Sequence, residues 1–368
     1  MAAFIPIHVK VRAKGRRHAG VPRKFWKNNM RKVWRIPKAG KLKALSLESE
    51  ALVPLASDKL RVRTKAIGLN FADIFALTGL YSATPKGSFI PGLEFSGIIE
   101  ALGAEVSGFE VGMRVMGAIR FGAYAEVVDA DPAACRPLPH DWSFQQGAAF
   151  PVQSLTAWYA LKHLGNVKRD QQVLVQSAAG GVGLQAMKMC AALGARPIGT
   201  VGKRDKIQFL ADQGFRRVLL RDEYFVNNLN ALLDGQPLSL VLDAIGGSIQ
   251  KQCFKALAPT GRLVVFGAAR FTPGSNRPNY LKAALQWLTR PRYDVLSMIS
   301  QNKSVMAFNL IWLWQDIGLF NGLAEEIEAL NLSPPHVGGV FPFEQAHQAI
   351  QALRSGCTVG KIVLDFDS

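Results

Sequence analysis

The chain of 368 residues is 49% hydrophobic and 19% charged, enough to bury a sizeable core, and its length suggests roughly two domains. No apolar run reaches the roughly 18 residues that a membrane span needs, and the opening lacks the apolar core of a signal peptide, so a spanning or secreted chain is not expected. The formal net charge of +17 raises the question of nucleic acid or an anionic membrane as partner, but residues 1–29 alone hold +8 and leave +9 for the rest, a distribution that argues against both.

That leader carries Lys10, Arg12, Lys14, Arg16, Arg17, Arg23, Lys24 and Lys27 with no acid. It is expected to be a disordered extension or an over-long gene start, with an Arg-rich targeting segment or a polyanion-binding tail as alternatives. Folded sequence begins at Met30. From Val33 to Gly68 short strands are expected, and residues 60–67 alternate apolar and polar as a half-buried strand does. A helix is expected over Asn70–Leu80, then further strands around 98–102, 115 and 123–128, spaced like those of a small barrel. Helices follow at 144–150 and 154–164.

Beyond Val173 strand and helix alternate, which calls for a parallel sheet covered on both faces. The run Val173-Leu174-Val175-Gln176-Ser177-Ala178-Ala179-Gly180-Gly181-Val182-Gly183 reads as a buried strand, a glycine turn and a helix start. Ala178, Gly180 and Gly183 occupy the three small-residue positions of a dinucleotide fingerprint, with alanine in the first, and Gly181 and Val182 lie between them. Small residues there let a pyrophosphate approach backbone amides at the positive end of a helix. Residues 271–303 interrupt the alternation with three prolines and an apolar stretch at 281–288, readable as a lid, a membrane-facing surface or a packed excursion. Residues 304–314 read as a very apolar strand, and such an edge favours pairing with a second subunit as a homodimer, with burial within one chain as the alternative.

About 20 residues beyond the glycine turn an NAD-selective fold places a carboxylate for the ribose 2′-hydroxyl. Here the sequence is Gly199-Thr200-Val201-Gly202-Lys203-Arg204-Asp205-Lys206. No carboxylate stands at the strand end, and Lys203, Arg204 and Lys206 offer charge-assisted donors to a 2′-phosphate, so NADPH is the expected cofactor. Four scattered cysteines form no metal or disulfide pattern and suggest a reducing cytoplasm. The histidines fall in no nucleophile or metal pattern, and no G-x-S-x-G elbow is present.

The segments Gly68-Leu69-Asn70-Phe71-Ala72-Asp73, Pro91-Gly92-Leu93-Glu94-Phe95-Ser96-Gly97, the glycine turn, Asp243-Ala244-Ile245-Gly246-Gly247 and Gly360-Lys361 together resemble the medium-chain dehydrogenase/reductase superfamily. Within it the chain is similar to the zinc-independent quinone oxidoreductase branch and, more narrowly, to vesicle amine transport protein homologues. The resemblance implies an α/β chain with two lobes. One is a GroES-like β-barrel catalytic domain from residues 30–152 and 301–368; the other is a doubly wound Rossmann NADPH-binding domain over 153–300, with an excursion at 271–303. Zinc-dependent relatives place a cysteine where this chain has Asn70 and a histidine where it has Leu93, so no zinc is expected. The resemblance also implies that Asn70 and Tyr81 border the nicotinamide and substrate, that Thr156, Gly246 and Gly267 lie along the cofactor, and that Lys206 is the principal 2′-phosphate partner. Many relatives carry a tyrosine where this chain has Phe75.

A nicotinamide without a metal favours acceptors that spread incoming charge over conjugated atoms. The expected reaction is hydride transfer from NADPH to a quinone or an α,β-unsaturated carbonyl, with hydrogen-bond donors stabilising the developing oxyanion. The alternative is a non-catalytic NADPH-binding interaction protein associated with membranes.

Overall fold

A computed structural model describes residues 29–367, so the leader expected at 1–29 lies outside the described residues apart from Asn29. In chain order, β1 (Met30–Arg35) pairs antiparallel with β2 (Ser46–Ala51) as a separate ribbon. β3 (Leu60–Gly68) leads into α1 (Phe71–Thr78), and β4 (Glu94–Leu102), β5 (Arg114–Ala118), β6 (Val127–Ala130) and β7 (Cys135–Pro137) follow. Gly79 ends α1 in the left-handed conformation, at φ 74°, which a side chain would disfavour. The alternation expected of β3 carries a buried exception, since Arg61 is only 4% exposed. It pairs bidentately with Asp129 on β6, both contacts at 2.7 Å, which supplies the partner that a buried guanidinium requires.

α2 (Phe144–Ala148) and α3 (Pro151–Trp158) lead into the second lobe, α3 continuing as a wider helical turn through Leu164. There, β8 (Gln172–Val175), α4 (Gly181–Ala192), β9 (Arg196–Val201), α5 (Asp205–Asp212), β10 (Val218–Leu220), α6 (Phe225–Leu233), β11 (Leu238–Asp243), α7 (Gly247–Ala256) and β12 (Arg262–Val265) alternate. The excursion forms α8 (Tyr280–Leu288) and α9 (Val295–Gln301) before β13 (Ser304–Ala307). The six parallel strands lie in the order β10-β9-β8-β11-β12-β13, which reverses direction between β8 and β11, as in a Rossmann sheet. Its two faces are covered separately. Ala186 and Met187 of α4 pack with α3 on one side, and Leu229, Phe254 and Leu263 pack on the other.

α10 (Leu310–Leu313), α11 (Ile317–Glu328), β14 (Val337–Pro342), α12 (Ala346–Arg354) and β15 (Lys361–Asp365) complete the chain. β15 returns to the first lobe and lies between β14 and β3 in the sheet β14-β15-β3-β4-β5-β7, with β6 also on β3. The barrel is thus built from both ends of the chain, and its core includes Ile67, Phe95, Tyr124 and Leu364.

Two expectations differ from the observed fold. The strand expected over 304–314 ends at Ala307, and Leu310–Leu313 is helical. A short apolar run carries no period that separates a strand from a buried helix, and Leu310 and Ile311 are buried in the second lobe. The parallel sheet also extends through Ala307, past the domain break read at residue 300.

Candidate functional site

The glycine turn lies at the carboxyl end of β8, where the strand order reverses. Gly183 stands so close to the preceding turn that a Cβ would run into the Ser177 carbonyl and lie 2.8 Å from the Ala178 Cα. The alanine in the first fingerprint position has its own explanation in β9. A Cβ on Gly199 would come within 2.8 Å of the Ala178 methyl, so glycine at 199 makes room for alanine at 178. α4 starts at Gly181, and its first-turn N–H groups have no partner within the helix, which makes them donors for an anion. Val182 belongs to that first turn. Gly180 pairs with Gly360 in a parallel bridge, and the Gly360 N–H donates to the Ala179 carbonyl at 2.7 Å. The last strand of the barrel therefore holds the turn from outside.

The cations expected at the end of β9 gather there with a residue that the sequence reading missed. Lys203 Nζ lies 2.8 Å from Cys357 Sγ, and Lys206 Nζ donates to the carbonyls of Gly356 at 2.8 Å and Thr358 at 2.7 Å. Arg204 is exposed beside them. Arg221, just after β10, donates to the Thr200 carbonyl at 3.2 Å and hydroxyl at 3.1 Å, and a Cβ on Gly202 would lie 2.8 Å from its Nη2. Its signal was topological: the residue after the strand adjacent to β9 must stand beside the end of β9.

A buried polar knot lies where the lobes meet. Lys361 and Glu94, 4% and 0% exposed, form an ion pair. Asn70 bridges them, its Oδ1 accepting from Lys361 Nζ and its Nδ2 donating to Glu94 Oε1, both at 2.8 Å. The second Glu94 oxygen accepts from the Val152 N–H in the first turn of α3, also at 2.8 Å. Beneath the knot, the Asp73 carboxylate accepts from the Asn70 N–H at 2.8 Å and the Tyr124 hydroxyl at 3.3 Å, while its other oxygen has no partner among the described residues. Burial pushes the Asp73 carboxyl up to about 7, against the Asn70 hydrogen bond and the Lys361 charge that lower it.

The Tyr81 hydroxyl donates to Asn309 Oδ1 at 2.7 Å, joining the loop after α1 to the cap of α10. Burial pushes that hydroxyl up to about 12. Asn309 was absent from the sequence reading because it fell inside the stretch read as a strand. Thr156 is buried in α3 with its hydroxyl donating to the Val152 carbonyl at 2.7 Å, the bond of an ordinary helical threonine. Gly246, at φ 83°, has nothing within 4 Å of where a Cβ would be, whereas a Cβ on Gly267 would lie 2.9 Å from the Ala244 carbonyl. They follow the carboxyl ends of β11 and β12. A cavity of about 320 Å³ lies elsewhere, between β5, α3 and α11, lined by Ala118, Phe150, Leu155, Trp314 and Phe320, and Asn70 and Tyr81 take no part in its walls.

Residues 56–149 match the family described as alcohol dehydrogenase GroES-like domain, and residues 181–307 match zinc-binding dehydrogenase. The synaptic vesicle membrane protein VAT-1 homolog of Homo sapiens is 30% identical over 327 residues, 87% of this chain and 82% of that protein. The chain belongs to the medium-chain dehydrogenase/reductase superfamily. The VAT-1 homolog of Danio rerio is 32% identical over 84% of this chain, and the match spans 64% of that longer protein. Among solved structures, the quinone oxidoreductase from Thermus thermophilus, described with its NADPH complex, superposes with a TM-score of 0.74 at 28% identity, covering 91% of this chain and 100% of the other.

Superfamily membership sharpens the contrast with zinc-dependent members. Leu93 is buried among apolar side chains that include Leu155 and Trp158, and Asn70 has both amide atoms engaged by Lys361 and Glu94. An ammonium occupies the neighbourhood of the one carboxylate, and among the described residues no group of three His, Cys, Asp or Glu could hold a metal ion. The residues present do not fit a tetrahedral zinc site.

Lys361→Met leaves the Glu94 carboxylate buried and unpaired. It is expected to lower stability by roughly 3–5 kcal/mol in urea unfolding, and Glu94→Gln added to it should recover much of that loss. Asp73 gives a pH signature of definite sign. Its folded pKa lies above its ordinary 3.8, so as pH rises from about 4 to about 7 the unfolded chain releases a proton that the folded chain retains, and stability falls across that window. Asp73→Asn should flatten this slope in chemical denaturation measured at several pH values.

Proposed function

We propose that the chain is an NADPH-dependent reductase that delivers hydride to a quinone or an α,β-unsaturated carbonyl without a metal. The carrying observation is the set of cations at the ends of β9 and β10, Lys203, Lys206 and Arg221, with no carboxylate at the strand end where a 2′-hydroxyl would need one. The N-terminal turn of α4 receives the pyrophosphate, and Gly246 and Gly267 leave the backbone close to the rest of the dinucleotide. NADPH, when bound, supplies the hydride. The protein binds and orients the acceptor and donates hydrogen bonds to the oxygen on which charge develops. Tyr81, once its single O–H turns from Asn309 Oδ1 to the acceptor, and the second Asn70 amide hydrogen, which faces only the Gly68 carbonyl at 3.4 Å, are the side-chain donors we assign to that oxygen.

The same proposal includes a homodimer formed along the open edge of β13 and a reducing, cytoplasmic setting that suits the four free cysteines. A second reading, an NADPH-binding interaction protein without turnover, is favoured by the membrane-protein name of the VAT-1 relatives and by Phe75, which offers no hydroxyl.

The test is NADPH and NADH oxidation against a panel of quinones and enones. Turnover with at least one acceptor and a clear preference for NADPH are expected. Equal use of NADH overturns the cofactor assignment, and tight NADPH binding without turnover on any acceptor selects the second reading. Each charge-assisted hydrogen bond contributes about 1.5–3 kcal/mol, so Lys206→Ala or Arg221→Ala should raise the KM for NADPH by roughly 10–100-fold and leave that for NADH nearly unchanged. Tyr81→Phe should lower kcat while the KM for NADPH holds.

A further inference from the structure

Arg221 is held from behind by a chain of buried polar groups. Its Nη1 donates to both oxygens of Thr200, the carbonyl at 3.2 Å and the hydroxyl at 3.1 Å. The Thr200 hydroxyl donates to Gln176 Oε1 at 2.6 Å, and Gln176 Nε2 donates to Cys253 Sγ at 3.0 Å. Thr200, Gln176 and Cys253 are each fully buried. Gln176 follows β8, Thr200 lies in β9 and Cys253 in α7, so three elements of the parallel-sheet lobe combine to hold one side chain.

Hydrogen-bond chemistry fixes the direction of every link. A guanidinium only donates, so the Thr200 hydroxyl oxygen must accept from Arg221 and its single hydrogen must go elsewhere. Gln176 Oε1 receives that hydrogen, which turns the amide nitrogen toward Cys253. Burial pushes the Cys253 thiol up to about 12, so the far end of the chain stays neutral. The Thr200 carbonyl is shared, because it also accepts from the Ala178 N–H of the glycine turn at 2.9 Å. The head of Arg221 is therefore in register with the turn that receives the pyrophosphate.

The groups bonded to this guanidinium are all neutral. Asp243 attracts it, but that carboxylate is engaged by the Ile245 and Gly246 N–H groups at 3.0 and 3.1 Å and by Gln250 Nε2 at 2.7 Å. Burial disfavours the charged form of Arg221 and lowers its pKa, against the raising effect of Asp243. With Nη1 committed to Thr200, Nη2 lies against Gly202 at the end of β9, where a Cβ would come within 2.8 Å of it. We propose that Thr200 and Gln176 are positioning residues that aim Arg221 at the 2′-phosphate of NADPH and so set the preference for NADPH over NADH from inside the sheet, a role that rests on the NADPH reading above. A free lysine loses rotamer freedom when it binds a phosphate, whereas a guanidinium already gripped on one side loses little.

The test is fluorescence titration of the full chain with NADPH and with NADH, which needs no acceptor and no turnover. Wild type should bind NADPH more tightly. Thr200→Val keeps the shape and removes the hydroxyl; it should weaken NADPH roughly 5–20-fold and change NADH by less than about twofold, and Thr200→Ser should retain the preference. In an Arg221→Ala background Thr200→Val should have no further effect, because the hydroxyl acts only through the guanidinium. Thr200→Val leaves the Gln176 oxygen buried and unpaired, so Gln176→Leu/Thr200→Val, which removes both groups, should show the same selective loss, with circular dichroism as the check of folding. A Thr200→Val chain that keeps its NADPH affinity, that loses NADPH and NADH equally, or that loses as much in the Arg221→Ala background overturns the proposal, as does a Thr200→Ser chain no better than Thr200→Val. Equal wild-type affinity for the two dinucleotides overturns the cofactor reading as well. Loss of the preference in Arg221→Ala but not in Thr200→Val overturns the positioning role alone.

Discussion

A buried ammonium and a buried carboxylate are each too costly to leave alone, and at the junction of the two lobes they are compatible only because everything around them is fixed. Lys361 comes from the last strand, Glu94 from the start of β4, Asn70 from the cap of α1 and the Val152 N–H from the first turn of α3. Gly68 takes part by what it lacks, since a Cβ there would lie 2.9 Å from a Glu94 oxygen. Four segments distant in sequence thus converge on one charge pair. Its value is positional more than energetic, because desolvation offsets much of the attraction while any displaced partner leaves a charge unsatisfied.

The knot also links the barrel to the dinucleotide turn. Gly360, the residue before Lys361, holds Gly180 and Ala179 by main-chain pairing. At the other end of the same cleft, Lys203 and Lys206 reach the loop 356–358, just upstream of Gly360. Six consecutive residues, 356–361, therefore contact the proposed phosphate cations, the glycine turn and the buried ion pair in turn. A cofactor in this cleft would engage both lobes through a single short segment.

Much of this was legible in the sequence where a local rule governs the outcome. The strand–turn–helix at 173–183 is fixed by steric need, and the alternation beyond it implies a parallel sheet. Ordered motifs such as Gly68-Leu69-Asn70 and Gly360-Lys361 carried the family, and the two-lobe architecture with it. What escaped depends on partners far along the chain. Arg221 is an unremarked cation until β10 is placed beside β9, and Asn309 sits in an apolar run whose period is ambiguous. The buried Arg61 contradicts the simple alternation of its strand because Asp129, 68 residues away, compensates it. Asn70 was singled out by the resemblance, but that its amide is largely committed to Lys361 and Glu94 only the assembled fold reveals.

The placement of β15 has a consequence for the order in which the molecule is made. This strand lies inside the barrel sheet, between β14 and β3, yet it is synthesised after every other described strand of both lobes. The parallel sheet, with all its strands complete by Ala307, can close while the chain is still being translated. The first lobe, although most of its strands emerge earlier, must wait with an open seam along β3 and an unpaired Glu94 until β15 leaves the ribosome. Vectorial synthesis would therefore finish the inserted lobe before the lobe that encloses it in sequence.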